Sequence, residues 1–284
     1  MLVSRDIRDL IDAALAEDVG QGDPTTDALI EPGLNGSATL VSREDGVIAG
    51  IDVAVEVFTQ FDQTLDAEPL VKDGSSVIAG EQLASVSGSM ASILKAERTA
   101  VNFLQHLSGV ATMTRRYVDA VQGFRAQIVD TRKTTPGLRK LEKHAVEMGG
   151  GRNHRYNLGD GILIKDNHIE AMALQGIGIG DVVKRAHARA SHMIKVEIEV
   201  ETLEQLEEVL KAGADLVLLD NMGPEQMETA VSITDGRALL EASGGITFET
   251  VREVAGTGVD IISVGALTHS APALNISLDM VIDN

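Results

Sequence analysis

The chain has 284 residues, 44% of them hydrophobic and 24% charged, and a formal net charge of −19. This length fits two domains, or one barrel with an additional layer, and the lack of cysteine excludes disulfides and thiolate chemistry. The acidic charge argues against a nucleic-acid partner. Because the N-terminus lacks a signal-peptide pattern and no long apolar run occurs, we expect no membrane segment and a cytoplasmic location.

The first third of the chain is predicted to be a mixed α and β region. A loop rich in turn residues covers 17–27, and the dipeptide Ser108-Gly109 is predicted to break a long helical pattern that resumes to about residue 122. Helices are predicted at 4–17, 52–61 and 89–107, and strands at 37–43, 69–72, 76–79 and 82–87.

The second half of the chain has a different pattern, in which short apolar runs alternate with helical segments. Strands are predicted at 127–131, 161–166, 194–200, 214–220, 238–243 and 260–265. The last four begin 20 to 24 residues apart, the length of a βα unit. Thr202 and Gln205 form a candidate capping box, and Gly213 occupies the position of a helix-ending glycine. These repeats predict a parallel sheet, either closed or doubly wound.

The strand predicted at 194–200 decides between the two arrangements. Its apolar side chains alternate with Lys195, Glu197, Glu199 and Glu201. A strand of a doubly wound sheet is apolar on both faces, whereas a barrel can present a polar inner face to its site. We therefore predict a TIM-like α/β barrel, allowing for fewer than eight strands, with a doubly wound sheet as the second choice.

Basic residues are concentrated at 130–168, which holds eight of the chain's 24 Lys and Arg residues and only five acids. Such segregation in an acidic protein suggests cations that line a cleft. Candidates for this role are Arg132, Lys133, Arg155 and Lys165. By contrast, Arg139, Lys140 and Lys143 are predicted to lie at the surface, on a helix that follows Pro136-Gly137. For His154 and His168 the pattern leaves a core role and a ligand contact equally open.

In parallel barrels the site lies at the carboxyl ends of the strands. Two Gly-rich turns, Ser243-Gly244-Gly245 and Val264-Gly265-Ala266, follow the last two predicted strands, where bare backbone N–H groups can bind phosphate. Glu199 and Asp220 end consecutive strands and are candidate Mg²⁺ ligands. No histidine spacing typical of zinc sites occurs. These patterns predict an Mg²⁺-assisted barrel enzyme that binds a phosphorylated substrate and a second anion, but they do not name the reaction.

Several long segments carry a family resemblance that runs nearly the length of the chain. The most specific are DTRKTTPGLRKLEKHAV at 130–146 and GGGRNHRYNLGDGILIKDNHI at 149–169. Others are EDVGQGDPTTD at 17–27, AERTAVNFLQHLSGVAT at 96–112, LEASGGIT at 240–247, and the segments 199–221 and 258–280. In these segments the chain resembles the quinolinate phosphoribosyltransferases.

The resemblance implies a reaction that joins quinolinate to phosphoribosyl pyrophosphate and yields nicotinate mononucleotide, pyrophosphate and CO₂, with Mg²⁺. It implies that Arg132, Arg155 and Lys165 hold the planar dicarboxylate, with Thr131 and His154 beside them. It also implies an N-terminal α/β sandwich domain at 1–107 that recruits the tail 266–284, and a catalytic barrel at 108–265.

Further roles follow from the same resemblance. Lys133 is expected to contact pyrophosphate or the ribose phosphate, and Glu199 and Asp220 are expected to hold the ribose hydroxyls and Mg²⁺, which makes these three the candidate catalytic residues. The two Gly-rich turns would hold the 5′-phosphate. Arg98, in the AERTA motif, is expected to enter the site from the partner subunit, so that a homodimer is the catalytic unit and assembly beyond a dimer stays open.

Alternatives remain at this point. A paralogue linked to molybdenum transport shares the fold, and nicotinate phosphoribosyltransferases catalyse a related reaction. In a different class, Lys165 at a strand end could be the Schiff-base lysine of a barrel aldolase, although a neighbouring acid opposes the neutral amine that this chemistry needs. A non-catalytic anion-binding protein is the remaining alternative.

Overall fold

The structure of the protein is a computed structural model, and it describes residues 2–281. The helices are α1 (Arg5–Val19), α2 (Pro24–Leu29), α3 (Ile51–Phe61), α4 (Met90–Ala120), α5 (Arg139–Met148), α6 (Asp166–Ala173), α7 (Ile179–Arg189), α8 (Leu203–Lys211), α9 (Pro224–Thr234), α10 (Val251–Gly256) and α11 (Ala266–His269). The strands are β1 (Asn35–Ser42), β2 (Gly46–Val47), β3 (Asp66–Pro69), β4 (Ser76–Val77), β5 (Gln82–Ser89), β6 (Gln127–Val129), β7 (Ile162–Ile164), β8 (Val196–Val200), β9 (Leu216–Asp220), β10 (Leu239–Ser243), β11 (Ile261–Ser263) and β12 (Ile276–Val281).

The chain packs as two compact units, and each unit is built from segments that are not consecutive in the sequence. The first comprises Met1–Arg115, Thr134–Gly150 and Leu267–Asn284, and the second comprises Arg116–Lys133 and Gly151–Ala266. The domain limits predicted above, at residues 107 and 266, stay a prediction, and the last three residues of the predicted tail, 282–284, lie outside the described residues.

The first unit contains an antiparallel sheet with the strand order β12-β1-β5-β3. Its central strand β1 pairs with β5 on one side and with β12, from the C-terminal segment, on the other. Helix α3 buries Val53, Val57 and Phe58 in the core of this unit. Among the described residues, no helix is both long enough and apolar enough to cross a membrane.

The second unit confirms the predicted barrel, in an incomplete form. Its six strands follow the order β6-β11-β10-β9-β8-β7, and every pair is parallel. This order is that of a ring of consecutive strands opened between β6 and β7. At the open edge the backbone of Arg152 forms a bridge with Val129 of β6. The six strands of this sheet agree with the predicted barrel, which allowed for fewer than eight strands.

The predicted capping box and the predicted helix-ending glycine in the barrel are also confirmed. Thr202 Oγ1 accepts the backbone N–H of Gln205 at 3.2 Å, and the Gln205 side chain accepts the N–H of Thr202 at 3.3 Å, which is the predicted capping box. Gly213 has a positive φ of 86°, as a glycine that ends a helix requires.

Two predictions in the first third were wrong. Part of the loop predicted at 17–27 is the short helix α2, because Asp23 caps it by accepting the N–H groups of Thr25 and Thr26 at 3.0 and 3.1 Å. The strand predicted at 69–72 lies earlier, as β3. Its ladder ends at Pro69 because the N–H groups of Leu70 and Val71 both donate to the carbonyl of Leu83.

The predicted break at Ser108-Gly109 was also wrong, since α4 continues through it. Both residues serve packing instead. The Ser108 hydroxyl accepts the N–H of Ala49 at 3.1 Å. A Cβ atom on Gly109 would lie 2.1 Å from the carbonyl oxygen of Pro272, so glycine allows that backbone to approach the helix.

We expect Gly109→Ala to destabilise the protein by about 1–3 kcal/mol, because the new methyl group meets backbone that cannot move aside like a side-chain tip. Gly256→Ala is the matched control. It places alanine at another helical glycine whose nearest neighbour to a new Cβ is a ring carbon at 3.8 Å, so stability should stay equal or rise. Chemical unfolding of both variants measures the difference, and equal stabilities would contradict the packing role of Gly109.

Candidate active site

A cleft of about 640 Å³ lies at the carboxyl ends of the barrel strands in the second unit. Most of the predicted site residues line it together. They are Thr131, Arg132, Lys133, His154, Arg155, Lys165, Glu199, Asp220, Ser243, Gly244 and Gly245. The lining also includes Leu163, Asp166, Leu218, Asn221, Glu241 and Ser263. The cleft therefore combines cations, carboxylates and bare backbone in one place.

Alternation along the strands arranges these side chains in two layers. In β8, Glu199 lies near the strand end and Glu197 lies two residues deeper, and in β10 Ser243 and Glu241 repeat this arrangement. Two residues along a strand correspond to about 6.6 Å. The polar face predicted for 194–200 thus points into the barrel, and its deeper layer carries buried carboxylates.

The cations of the upper layer lie close enough to affect one another. Burial, and then the charge of Arg132, lowers the pKa of Arg155. Arg155 Nη1 donates to the carbonyl of Gly161 at 3.0 Å, which fixes one end of its guanidinium. Arg132 Nε is buried and has no hydrogen-bond partner among the described residues. Two neighbouring guanidiniums with unused donors form a site for an anion that carries more than one carboxylate.

Lys165 lies at the end of β7 and faces Glu199 of β8. Its Nζ lies 2.7 Å from Glu199 Oε1. An aldolase-type lysine must pass through an uncharged amine, and a carboxylate at this distance favours the ammonium ion. The geometry therefore counts against the Schiff-base alternative.

The turn after β10 requires its glycines. Gly244 and Gly245 have φ values of 91° and 61°, and a Cβ atom on Gly244 would lie 2.2 Å from Asn221 Oδ1. Asn221 itself has a φ of 53°, and its N–H donates to the carbonyl of Ser243 at 3.0 Å. The two strand ends thus lock together with bare backbone facing the cleft, which is the arrangement that binds phosphate.

The remaining predicted residues lie elsewhere. Val264, Gly265 and Ala266 are not in the cleft lining, although the neighbouring Ser263 is. The side chain of Val264 is buried, and its N–H donates to the carbonyl of Val129 at 3.0 Å, so this N–H is not available to a phosphate. Arg98 lies exposed on α4 and is not among the lining residues either.

His154 is the centre of a cluster that the sequence interpretation missed. Its Nε2 lies 3.2 Å from Glu197 Oε2 and 3.4 Å from Glu241 Oε2, and both glutamates are buried. On the other side of the ring, Nδ1 accepts the backbone N–H of Arg155 at 2.7 Å. The alternation in the strand at 194–200 already pointed Glu197 inward, but nothing in the sequence paired it with Glu241 or His154.

The protonation of His154 follows from these contacts. Burial lowers the pKa of His154, and the contacts with Glu197 and Glu241 act in the opposite direction. A second ring proton, however, would have to occupy Nδ1, which already accepts an N–H. This hydrogen bond therefore indicates a neutral ring whose proton is on Nε2. Among the described residues, these three side chains also have the spacing of a metal site.

Among the predicted surface cations, Lys143 was assigned wrongly. Its side chain is buried, with an exposed fraction of 2%, because it lies on the inner face of α5 beside the buried residues Leu141 and Glu142. Arg139 and Lys140 are half-buried. Arg139 Nε donates to Thr134 Oγ1 at 3.0 Å, and Lys140 Nζ pairs with Asp6 at 3.0 Å.

Comparison with known proteins adds to this geometry. Residues 23–108 match the family model for the quinolinate phosphoribosyl transferase N-terminal domain, and residues 110–279 match that for the C-terminal domain. The chain is 46% identical to the nicotinate-nucleotide pyrophosphorylase [carboxylating] of Mycobacterium leprae, over 96% of each chain. It is 42% identical to a probable enzyme of the same name from Bacillus subtilis, over 98% of this chain and 94% of that one. The solved structure of the nicotinate-nucleotide pyrophosphorylase from Francisella tularensis superposes with a TM-score of 0.91, at 40% identity and 98% coverage of both chains.

Proposed function

The chain belongs to the quinolinate phosphoribosyltransferase family, and we infer that it transfers the phosphoribosyl group of phosphoribosyl pyrophosphate to quinolinate. The reaction releases pyrophosphate and CO₂ and gives nicotinate mononucleotide for NAD biosynthesis. The observation that carries this assignment beyond the family match is the cleft itself. It combines an arginine pair suited to a dicarboxylate with a glycine turn suited to a phosphate.

The cleft residues divide the work of the reaction between two anionic substrates. Arg132 and Arg155, with Lys165, hold the quinolinate carboxylates and orient the pyridine nitrogen toward the ribose. The turn at Ser243-Gly244-Gly245 holds the 5′-phosphate. Lys133, which is exposed at the rim of the cleft, stabilises the departing pyrophosphate. This is stabilisation of charge by preorganised groups, without a covalent enzyme intermediate.

Once the pyridine nitrogen has attacked the ribose carbon, the substrate completes the reaction. The pyridinium ring draws electrons from the bond between C2 and its carboxylate. That bond breaks, CO₂ leaves, and a proton takes its place on C2. In this scheme the protein binds and orients the two substrates, and the pyridinium ring itself accepts the electrons of the broken bond.

Glu199 and Asp220 would hold Mg²⁺. They end neighbouring strands β8 and β9 and line the same cleft, and two carboxylates completed by water and substrate oxygens suit this ion. Glu199 is also paired with Lys165, so its charge is already balanced when substrate arrives. Bound there, Mg²⁺ would neutralise part of the pyrophosphate charge.

A product assay tests the function. Purified protein with quinolinate, phosphoribosyl pyrophosphate and Mg²⁺ should form nicotinate mononucleotide with equal amounts of pyrophosphate and CO₂. A chelator should remove most of this activity, and added Mg²⁺ should restore it. Protein that is folded but forms no mononucleotide from quinolinate would overturn the assignment. Activity that survives chelation would overturn only the proposed role of Mg²⁺.

Completion of the site by a homodimer is part of the proposal, with Arg98 acting across the interface. It is supported by the exposure of Arg98 and by its absence from the lining of the cleft, as far as the described residues go. A cytoplasmic location and assembly beyond a dimer stay predictions.

Mixed dimers test the role of Arg98. We expect Arg98→Ala and Lys133→Ala homodimers to be nearly inactive, because each lacks a cation at both sites. A mixed dimer, purified through two different tags, should recover about half of the wild-type activity, since one of its two sites is complete. Two differently tagged Arg98→Ala chains serve as the control. No recovery would show that Arg98 acts within its own chain.

A further inference from the structure

We propose that Glu241 and Glu197 are positioning residues that act through His154 on Arg155, and that His154 gives neither ring nitrogen to the substrate. The proposal rests on the proposed function, because it concerns the arginine assigned to quinolinate. It goes beyond that assignment in two ways. It gives a task to two buried carboxylates, and it removes His154 from the groups that bind substrate through a ring nitrogen.

The first step of the argument is that both nitrogens of the His154 ring contact protein. Nε2 faces the carboxylates of Glu197 and Glu241 at 3.2 and 3.4 Å, and Nδ1 accepts the N–H of Arg155 at 2.7 Å. The ring lines the cleft, but its side chain is only 15% exposed. What it offers a ligand is therefore ring carbon.

The second step is that this ring joins the deep layer of the barrel to the arginine above it. The segment 152–155 crosses the open edge between β6 and β7, where Arg152 pairs with β6. Besides the Nδ1 contact, the N–H of His154 donates to Oδ1 of the buried Asp130 at 2.8 Å. Arg155 is therefore anchored through its backbone on the His154 ring and through its side chain on the carbonyl of Gly161.

The third step is the reason why Arg155 needs such an anchor. Its guanidinium lies within the electrostatic reach of Arg132, and with no ligand between them the two like charges repel. An unanchored arginine would turn toward water and would have to be reordered at each binding event. Fixing it in advance moves that cost from binding to folding.

The two carboxylates suit this task because the strands of the barrel bury them and hold them in place. Glu197 and Glu241 are exposed by only 5% and 1%, and they lie on β8 and β10, the two strands that flank β9. Glu197 Oε1 and Glu241 Oε2 have no hydrogen-bond partner among the described residues. The Nε2 atom of His154 faces this pair of carboxylates, and its distance of 3.2 Å to Glu197 Oε2 is shorter than its distance of 3.4 Å to Glu241 Oε2.

A double-mutant cycle tests whether Glu241 acts through His154. Glu241→Gln replaces the carboxyl group with an amide of nearly the same shape, and His154→Asn keeps an acceptor near the position of Nδ1 but cannot reach the carboxylates. We expect each single variant to raise KM for quinolinate about 5- to 10-fold, with KM for phosphoribosyl pyrophosphate nearly unchanged. The double variant should be no worse than His154→Asn alone, because the link to Glu241 is already cut.

Several outcomes decide the proposal. Effects that multiply in the double variant would show that the two residues act independently, and an unchanged KM for quinolinate in Glu241→Gln would show that Glu241 positions nothing. Either result overturns the proposed link from Glu241 through His154 to Arg155. Equal rises in both KM values would overturn it too, because they would indicate a general structural role. If His154→Asn does not fold, His154→Gln, which lacks the Nδ1 acceptor, replaces it in the cycle.

The controls separate this proposal from the function on which it rests. Glu142→Gln removes another fully buried carboxylate that contacts a histidine, His106, at 2.9 Å in the first unit, and it should leave KM for quinolinate unchanged. Wild-type protein that does not turn over quinolinate defeats the proposed function. If the wild type turns over quinolinate but the effects of the two substitutions simply add in the double variant, only the proposed link from Glu241 through His154 to Arg155 is overturned.

Discussion

Replacing Arg155 with lysine should lower kcat/KM for quinolinate about 100-fold and should leave KM for phosphoribosyl pyrophosphate nearly unchanged. Lysine keeps the positive charge but loses the flat pair of donors that matches a carboxylate, and it cannot reproduce the bond to the Gly161 carbonyl at 3.0 Å. A lost two-point contact to a buried charge costs about 2–3 kcal/mol, which corresponds to this factor.

Arg152→Lys is the matched control for this variant. Arg152 lies three residues earlier on the same segment, its side chain is exposed, and its described role is a backbone bridge that lysine can also make. Steady-state kinetics of both variants should therefore differ only for Arg155. If kcat/KM for quinolinate in Arg155→Lys stays within about 2-fold of the wild type, charge alone holds quinolinate, and the two-point contact of the guanidinium is not needed.

The repeat of βα units predicted the barrel and most of its site, because the carboxyl ends of parallel strands meet at one edge. This single rule predicted that Glu199, Asp220 and the turn at Ser243 share one cleft, as they do in the structure. The order of residues could not show where the ring opens. That depends on β6 pairing with β11 and β7 pairing with β8, whereas β6 and β7 do not pair with each other in the part of the chain that the structure describes.

Predictions were weakest where distant segments meet. Ser108-Gly109 reads as a helix break, yet the glycine is there to admit the backbone of Pro272, far along the chain. Lys143 reads as a surface residue because lysine is rarely buried, and only the packing of α5 reveals its position. Similarly, Glu241 is one acid in an apolar strand until the structure places it against His154, 87 residues away.

The choice between a dicarboxylate and a monocarboxylate is the most direct consequence of the arginine pair. Quinolinate can occupy the donors of both Arg132 and Arg155, whereas nicotinate leaves one guanidinium of the pair without a carboxylate. Sites built to bind a polar group reject analogues that lack it, because their own groups then stay unsatisfied. We expect a preference for quinolinate of about 1,000-fold or more in kcat/KM.

The measurement that tests this account most directly compares the two acids in one assay, with phosphoribosyl pyrophosphate and Mg²⁺, by following pyrophosphate and CO₂ together. The account predicts that quinolinate is consumed with one CO₂ released for each pyrophosphate, and that nicotinate at the same concentration yields almost no pyrophosphate. Efficient pyrophosphate release with nicotinate, and none with quinolinate, would contradict it.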